Sequence, residues 1–489
     1  MEFHPVIGLE VHAQLLTSSK LFCGCSTRFG APPNSQTCPV CLGLPGALPV
    51  LNRQAVAMAV RAALALGCAV SPLSVFARKN YFYPDLPKGY QISQFDFPLA
   101  VHGKVKVLCG ERTEDGHIVN RREKVFCITR LHLEEDAGKS LHDGMPESDA
   151  KSYVNLNRSG VPLIEIVSEP DFRSSQEAYD YLTQLRKILL YLGVCDGNME
   201  EGSLRCDANV SIRATASAEF GTKVEIKNLN SFRYLQRALE YEIERQAHAI
   251  AQGGRIVQET RLWDEGKGCT AVMRSKEDAH DYRYFPEPDL LPLRLDPAWI
   301  DGLRDSLPEL PHQKTLRFMA EYELSSDEAL QLTSSPAMAA YFTECSQAAG
   351  NPRAALHWIT GDLAYALKNS NKEIDACPLP PQQLAALIRM IDAGEISGKI
   401  AKTVFEEIYR SGAEPDAALL RLGLAQISDE ETLEAAIAKI MAANPKQLAE
   451  YRSGKDKLFG YFVGQVMKET KGQANPQLLN DLLKKKLAG

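Results

Sequence analysis

Ser203-Leu204-Arg205-Cys206-Asp207-Ala208-Asn209-Val210-Ser211-Ile212-Arg213 changes character at every step. Leu204, Cys206, Ala208, Val210 and Ile212 are small or apolar, and Arg205, Asp207, Asn209, Ser211 and Arg213 are polar. Successive side chains of a strand point to opposite faces. This period of two therefore sets one face on a core and lines the other with carboxylate, amide and guanidinium groups. After a turn near Gly221 the alternation returns, with Val224 and Ile226 standing between Lys223, Glu225 and Lys227. A solvated surface hairpin has the same pattern, so the reading depends on the other strand-like segments.

Those segments also carry acids or histidine. Ile7, Leu9, Val11, Ala13 and Leu15 alternate with Gly8, Glu10, His12 and Gln14. From Val125 to Asp136, the residues Arg130, His132, Glu134 and Asp136 share one parity, and Glu135 has the other. Glu165 interrupts the apolar run Leu163-Ile164-Glu165-Ile166-Val167. Burying an unpaired carboxylate there costs several kcal/mol, so Glu165 is expected to be paired or metal-bound. Glu10, His12, Glu134, Glu165, Glu201, Asp207 and Glu225 are expected to share one polar sheet face. Taken singly, each reads more simply as a solvated edge or a structural ion pair; their convergence points to a site. Hard oxygen ligands with an occasional imidazole suit Mg2+ or Mn2+.

The chain has 489 residues, 45% hydrophobic and 24% charged, enough for about three soluble domains. Met-Glu-Phe-His-Pro at the start offers no basic n-region, and the apolar stretch Ala55–Val70 is broken by Arg61. A cytoplasmic, non-membrane protein is expected. The net charge of −7 argues against indiscriminate nucleic-acid binding, but residues 450–489 hold eight Lys or Arg against four Asp or Glu. That end reads either as a solvated helical tail or as a local phosphate-contacting surface.

Four of the 12 cysteines cluster as Cys23-Gly24-Cys25 and Cys38-Pro39-Val40-Cys41. A closed four-thiolate zinc site fits this spacing, and unligated buried thiols are the alternative. Such a site leaves no open position for chemistry, so its role would be to staple a loop.

Strand patterns dominate residues 1–293, interrupted by helices expected at Asn52–Leu66, Ser174–Leu192 and Phe232–Gln252. Ser174-Ser175-Gln176-Glu177 has the form of a capping box, and Gly193 stops its helix. Pro292, Pro297, Pro308 and Pro311 mark a boundary, after which Ala, Leu, Glu and Lys predominate. A second break at Tyr409–Asp416 divides this helical part into residues 294–410 and 411–489. The fold class is thus α+β: an antiparallel-sheet domain, a helical domain and a helical tail. Ala137-Gly138-Lys139-Ser140 imitates the end of a P-loop, but position 133 is Leu and no Walker cradle is expected.

Longer motifs carry a family resemblance. They are Ile7-Gly8-Leu9-Glu10-Val11-His12, the stretch from Lys79-Asn80-Tyr81-Phe82-Tyr83-Pro84-Asp85 to Gln94, and Leu133-Glu134-Glu135-Asp136-Ala137-Gly138-Lys139. Pro162-Leu163-Ile164-Glu165, Met199 to Asp207 and Asp281 to Asp289 belong with them, as do Gly464-Gln465-Val466-Met467 and Gly472 to Pro476. Across essentially its whole length the chain resembles the GatB family, the B subunits of the aspartyl/glutamyl-tRNA amidotransferases. The resemblance implies a catalytic region of glutamine-synthetase/guanidino-kinase type, a helical domain and a YqeY-like tRNA-contacting tail. It also implies a reaction in which ATP phosphorylates the side-chain carboxylate of Glu or Asp mischarged on tRNA and ammonia displaces the phosphate. The implied partners are two further proteins of a heterotrimer, an amidase that supplies ammonia and a small third chain. The mischarged tRNA and a non-discriminating aminoacyl-tRNA synthetase complete the set.

Carried onto these residues, the resemblance assigns Mg2+ to Glu10, His12, Glu134, Glu165 and Glu201, with Asp207 and Glu225 behind it or guiding ammonia. Lys79 and Lys88 are expected to meet phosphates, the four cysteines to hold structural Zn2+, and Lys455, Lys457, Lys468 and Lys471 to touch tRNA. Two rivals are a ligase acting on a free amino acid, which needs no basic tail, and a non-catalytic scaffold, which has no use for clustered carboxylates.

Overall fold

The computed structural model describes residues 3–113, 115, 117–141, 146–147, 150–214, 219–275, 282–424, 430–470 and 473–488. They form two compact units, one running to Lys314 and the other starting at Thr315.

The first unit is built on a nine-stranded sheet in the order β14-β13-β12-β11-β1-β10-β7-β6-β2. The inner strands are β1 (Phe3–Gln14), β7 (Ile118–Glu135), β10 (Pro162–Ser168), β11 (Leu204–Ala214) and β12 (Val224–Lys227). The flanks are β2 (Ala69–Val70), β6 (Ala100–Arg112), β13 (Glu259–Asp264) and β14 (Cys269–Ser275). A three-stranded sheet places β4 (Ala77–Asn80) between β5 (Tyr90–Ser93) and β15 (Phe285–Pro286). Two short pairs complete the strands: β3 (Leu73–Ser74) with β16 (Leu293–Arg294), and β8 (Lys139–Leu141) with β9 (Tyr153–Asn155).

The large sheet is mixed rather than purely antiparallel, because β12 and β13 run parallel. A parallel pair needs a crossover, and the helix α3 (Phe232–Ala251) supplies it. The helices α1 (Arg53–Ala65), α2 (Ser175–Leu192) and α3 pack on the sheet and bury its apolar side. Ile7, Leu9, Val11 and Ala13 of β1 face that core with Ala208 and Val210 of β11. The residues between them point the other way.

Helix α2 shows how its sequence sets its limits. Tyr181, Leu182, Leu185, Ile188 and Leu189 recur at helical spacing, and all are buried. Ser174 Oγ accepts from the Glu177 amide at 3.1 Å, and Gly193 ends the helix in the left-handed region at φ 63°. Only half of the expected capping box forms. The Glu177 carboxylate accepts from the Arg173 amide and pairs with Lys124, which draws it away from the Ser174 amide.

The first unit continues past the proline-rich stretch. Its helix Pro297–Asp305 lays Trp299 and Leu303 on the first core, so the unit runs on to Lys314. Every named element described in the second unit is a helix. One apolar cluster runs from Phe318 to Leu419 and another from Leu433 to Leu487. The helix at 398–411 ends at Gly412, as the sequence indicates, but Ala418 and Leu419 of the next helix still belong to the earlier cluster.

Truncating Leu185, which is fully buried between α2 and the sheet, leaves a cavity. Leu185→Ala is expected to lower stability by about 2–5 kcal/mol. Urea unfolding measures this as a lower midpoint at unchanged slope, and a midpoint equal to the parent's would contradict the packing described.

Candidate functional site: an acidic cavity and a cysteine loop

The polar side of the sheet opens into a cavity of about 270 Å³. β1 supplies Glu10 and His12, β7 supplies Arg130, His132 and Glu134, and β10 supplies Glu165. Asp207 comes from β11, and Glu225 and Lys227 from β12. Lys79 and Ser93 enter from the small sheet. Phe95 and Tyr284 line the cavity as a stacked pair, with ring centres 4.1 Å apart.

Register explains this convergence. His12 lies opposite Glu165 on β10 and Arg205 on β11, Glu165 lies opposite His132 on β7, and Glu10 lies opposite Asp207. Glu165 is therefore partnered on both sides. His12 Nε2 stands 3.3 Å from it, His132 Nε2 3.5 Å and the Arg130 guanidinium 3.8 Å. Glu134 lies 3.4 Å from His132 and 3.8 Å from His12, and it accepts from Ser93 Oγ at 3.1 Å.

Burial by itself would push both carboxyls up. The histidines reverse that, holding Glu134 and Glu165 below the usual carboxylate range. Burial lowers His12, but its bond to Glu165 and the charges of Glu165 and Glu134 leave it raised. Glu10 is raised by burial and by Glu165, Glu225 and Asp207, with His12 offsetting part of the effect. Lys79 is raised, because Glu134 and the neighbouring tyrosines and Glu165 outweigh its desolvation.

One nitrogen of His12 and one oxygen each of Glu134 and Glu165 lie within 4.8 Å of one another. Two hard carboxylates and an imidazole at that spacing suit an octahedral divalent ion. Beside them, Lys227 Nζ bridges Asp207 at 2.6 Å and Glu225 at 3.0 Å. Glu225 also accepts from Thr260 at 2.8 Å, and Glu10 accepts from Asn209 at 2.9 Å.

Of the residues expected on this face, the cavity gathers Glu10, His12, Lys79, Glu134, Glu165, Asp207 and Glu225. Glu201 does not join them. It sits exposed in the turn before β11, with its amide donating to the Asn198 side chain at 3.2 Å. Lys88 lies behind β7 instead of among the carboxylates, in a buried ion pair with Glu135. Arg130, His132 and Lys227 are further members of the site. Each shares the parity of an acid two or four residues along its strand, a signal that places it on the polar face without showing that it meets carboxylates there.

The four sulfurs of Cys23, Cys25, Cys38 and Cys41 also lie within 4.8 Å of one another. Cys38 and Cys41 are 3.9 Å apart. A tetrahedral ion with Zn–S bonds of about 2.3 Å sets its sulfurs about 3.8 Å apart, so the set fits zinc. The loop borders a second cavity of about 210 Å³ that also touches Lys88 and Glu135. In the second unit, Lys455, Lys457 and Lys468 are exposed, and Lys471 lies outside the described residues.

Comparison with known proteins identifies the class. Residues 5–301 match the family model of the GatB/GatE catalytic domain, and residues 340–487 match that of the GatB domain. The chain is thus of the amidotransferase class, and its sheet unit corresponds to the catalytic region. It is 56% identical to the B subunit of the aspartyl/glutamyl-tRNA(Asn/Gln) amidotransferase of Trichlorobacter lovleyi and 55% identical to that of Geotalea uraniireducens, each over the full length of both chains. The Syntrophotalea carbinolica protein of the same name is 54% identical, covering all of this chain and 99% of the relative. The chain belongs to the GatB family, the B subunits of these tRNA amidotransferases.

The Lys88–Glu135 pair predicts a stability effect separate from chemistry. Lys88 is nearly fully buried, and Glu135 also accepts from the Ile92 amide at 2.9 Å. Lys88→Met strands the carboxylate and is expected to cost about 3–5 kcal/mol of folding free energy. A denaturation midpoint within error of the parent's would contradict this role.

Proposed function

We propose that the acidic cavity activates the side-chain carboxylate of glutamate, or of aspartate, carried on a mischarged tRNA, and converts it to the amide. The meeting of His12, Glu134 and Glu165 in one ligand sphere, in a chain of the GatB family, carries this reading. ATP transfers its γ-phosphoryl group to a carboxylate oxygen, giving ADP and an acyl phosphate. Ammonia attacks the carbonyl carbon, the C–O bond to phosphate breaks, and the amide nitrogen loses a proton.

His12, Glu134 and Glu165, with Glu10 beside them, would hold Mg2+. When bound, Mg2+ offsets the charge on phosphate oxygens as two anions are brought together. Lys79, whose ammonium sits 4.9 Å from the centre of the Tyr282 ring, adds positive charge for the phosphates. Asp207 and Glu225, held by Lys227, guide the incoming nitrogen and take its proton. The enclosed cavity keeps the acyl phosphate from water.

On this reading the first unit is a catalytic cradle of glutamine-synthetase/guanidino-kinase type. An amidase partner supplies ammonia, a small third protein joins the two into a heterotrimer, and a non-discriminating synthetase supplies the mischarged tRNA. The cysteine loop holds structural Zn2+, and the second unit ends in a YqeY-like tail that meets tRNA. We place the enzyme in the cytoplasm, where tRNA is charged; among the described residues no helix is long and apolar enough to cross a membrane.

Glu134→Gln keeps the shape and removes the charge. With ATP, Mg2+, free ammonium and Glu-tRNA, the variant complex is expected to lose at least about 100-fold in amidation rate, the scale of removing one transition-state electrostatic interaction. Its tRNA affinity should be unchanged; amidation at the parent rate, or a loss confined to tRNA binding, would refute the assignment. For the tail, replacing Lys455, Lys457 and Lys468 by Ala should weaken tRNA binding. The slope of log affinity against log salt should flatten by roughly 0.7–0.9 for each lysine replaced. Equal slopes would remove these lysines from the interface.

A further inference from the structure

Lys20 is completely buried just after β1. Its Nζ donates to the Gln36 carbonyl at 2.7 Å and to the Leu156 carbonyl at 3.4 Å, and it faces Cys41 Sγ at 3.5 Å. Among the described residues, no carboxylate forms an ion pair with it. The carbonyls satisfy donors but carry no net charge, and a buried ammonium without a counter-charge is costly by several kcal/mol. Of its three partners, the sulfur is the one that can be an anion.

The surroundings are shaped around this contact. Gln36 lies between the two cysteine pairs, so one ammonium ties the middle of the loop to a sulfur at its end. Ser159 Oγ donates to the Cys41 carbonyl at 3.3 Å. Gly160 adopts φ 87°, and a Cβ there would stand 3.4 Å from Lys20 Cδ and 3.5 Å from Cys41 Cβ. The backbone thus closes over the lysine and the cysteine together.

We propose that Lys20 is the counter-cation of the four-cysteine centre, its ammonium set against the Cys41 sulfur. Four thiolates around a divalent ion carry a net charge of −2, which a partly buried loop holds poorly without a neighbouring cation. Lys20 supplies half of the compensation from inside, where solvent ions do not reach. The inference rests on the zinc reading of the cysteines and adds a residue outside their motif on which metal affinity depends.

Zinc affinity of the full chain, measured by competition with a coloured chelator, tests it, together with melting temperature before and after chelation. Lys20→Met is expected to weaken zinc binding at least about tenfold, the usual effect of losing a group that supports a metal ligand. Zinc at a concentration that saturates the parent should then raise its melting temperature by less than it raises the parent's. Lys20→Gln, which keeps a polar donor of shorter reach but not the charge, should follow the same direction and is the variant to read if Lys20→Met does not fold. Zinc affinity within twofold of the parent would overturn the proposal. So would a fall in melting temperature that is equal with and without zinc, because packing alone would then explain the lysine. A parent chain that binds no zinc would instead overturn the zinc reading beneath it.

Discussion

The rest of the first unit is arranged around the carboxylate of Glu165, which sits in the middle of an apolar strand. It is tolerable there because His12 on one neighbouring strand and His132 on the other reach it within 3.5 Å. Those two contacts exist in a single register of β1, β10 and β7. A slip of one residue would turn His12 into the core and Val11 out of it. The hydrophobic face and the acidic face therefore specify the same alignment, and packing and chemistry do not compete along these strands.

Three acids follow one another at and just past the end of β7, and each is handled differently. Glu134 faces the cavity. Glu135 points behind the strand, where Lys88 and the Ile92 amide hold it. Asp136 is met by Arg205 at 3.0 Å and by Gln14 at 2.8 Å. Burial works to raise the Asp136 carboxyl, but Arg205 and Arg158 outweigh it and keep the group below the ordinary carboxylate range. β5 braces the same segment from one side, with Ser93 bonding to Glu134 and the Gln91 side chain donating to the Glu135 carbonyl at 2.7 Å. The cysteine loop touches the back of this brace through Gly160, whose amide donates to the Asp136 carbonyl. The cavity wall and the cysteine loop thus share a backbone.

What could be read from the sequence followed the regular elements. A period of two fixes which side of a strand a residue occupies, so Glu10, His12, Glu134, Glu165, Asp207 and Glu225 were legible from their spacing. It says nothing outside a strand. Glu201 sits in the turn before β11, next to Gly202 at φ 79°, and parity counted back through a turn has no meaning. Lys88 belongs to a loop, whose direction is set by Glu135, a residue 47 positions away. Arg130, His132 and Lys227 were on the right parity, but a basic residue on a polar face looks the same whether it meets solvent or carboxylates. Composition located the change to helices. It did not foresee that Trp299 and Leu303 extend the first core, or that Leu419 still belongs to the second.

The sheet's connectivity bears on how the chain is made. β1 is central, paired with β10 and β11, so that Glu10 meets Val167 and Asp207. It leaves the ribosome before these partners, which lie some 150 to 200 residues downstream. At about 5–20 residues per second, synthesis takes on the order of 10–40 s to deliver them. During that interval Ile7, Leu9 and Val11 form an unpaired, aggregation-prone ribbon. Glu10 and His12, set between those residues, interrupt the apolar run in the manner of gatekeepers. The residues that later gather at the cavity thus also help keep the nascent strand from finding the wrong partner.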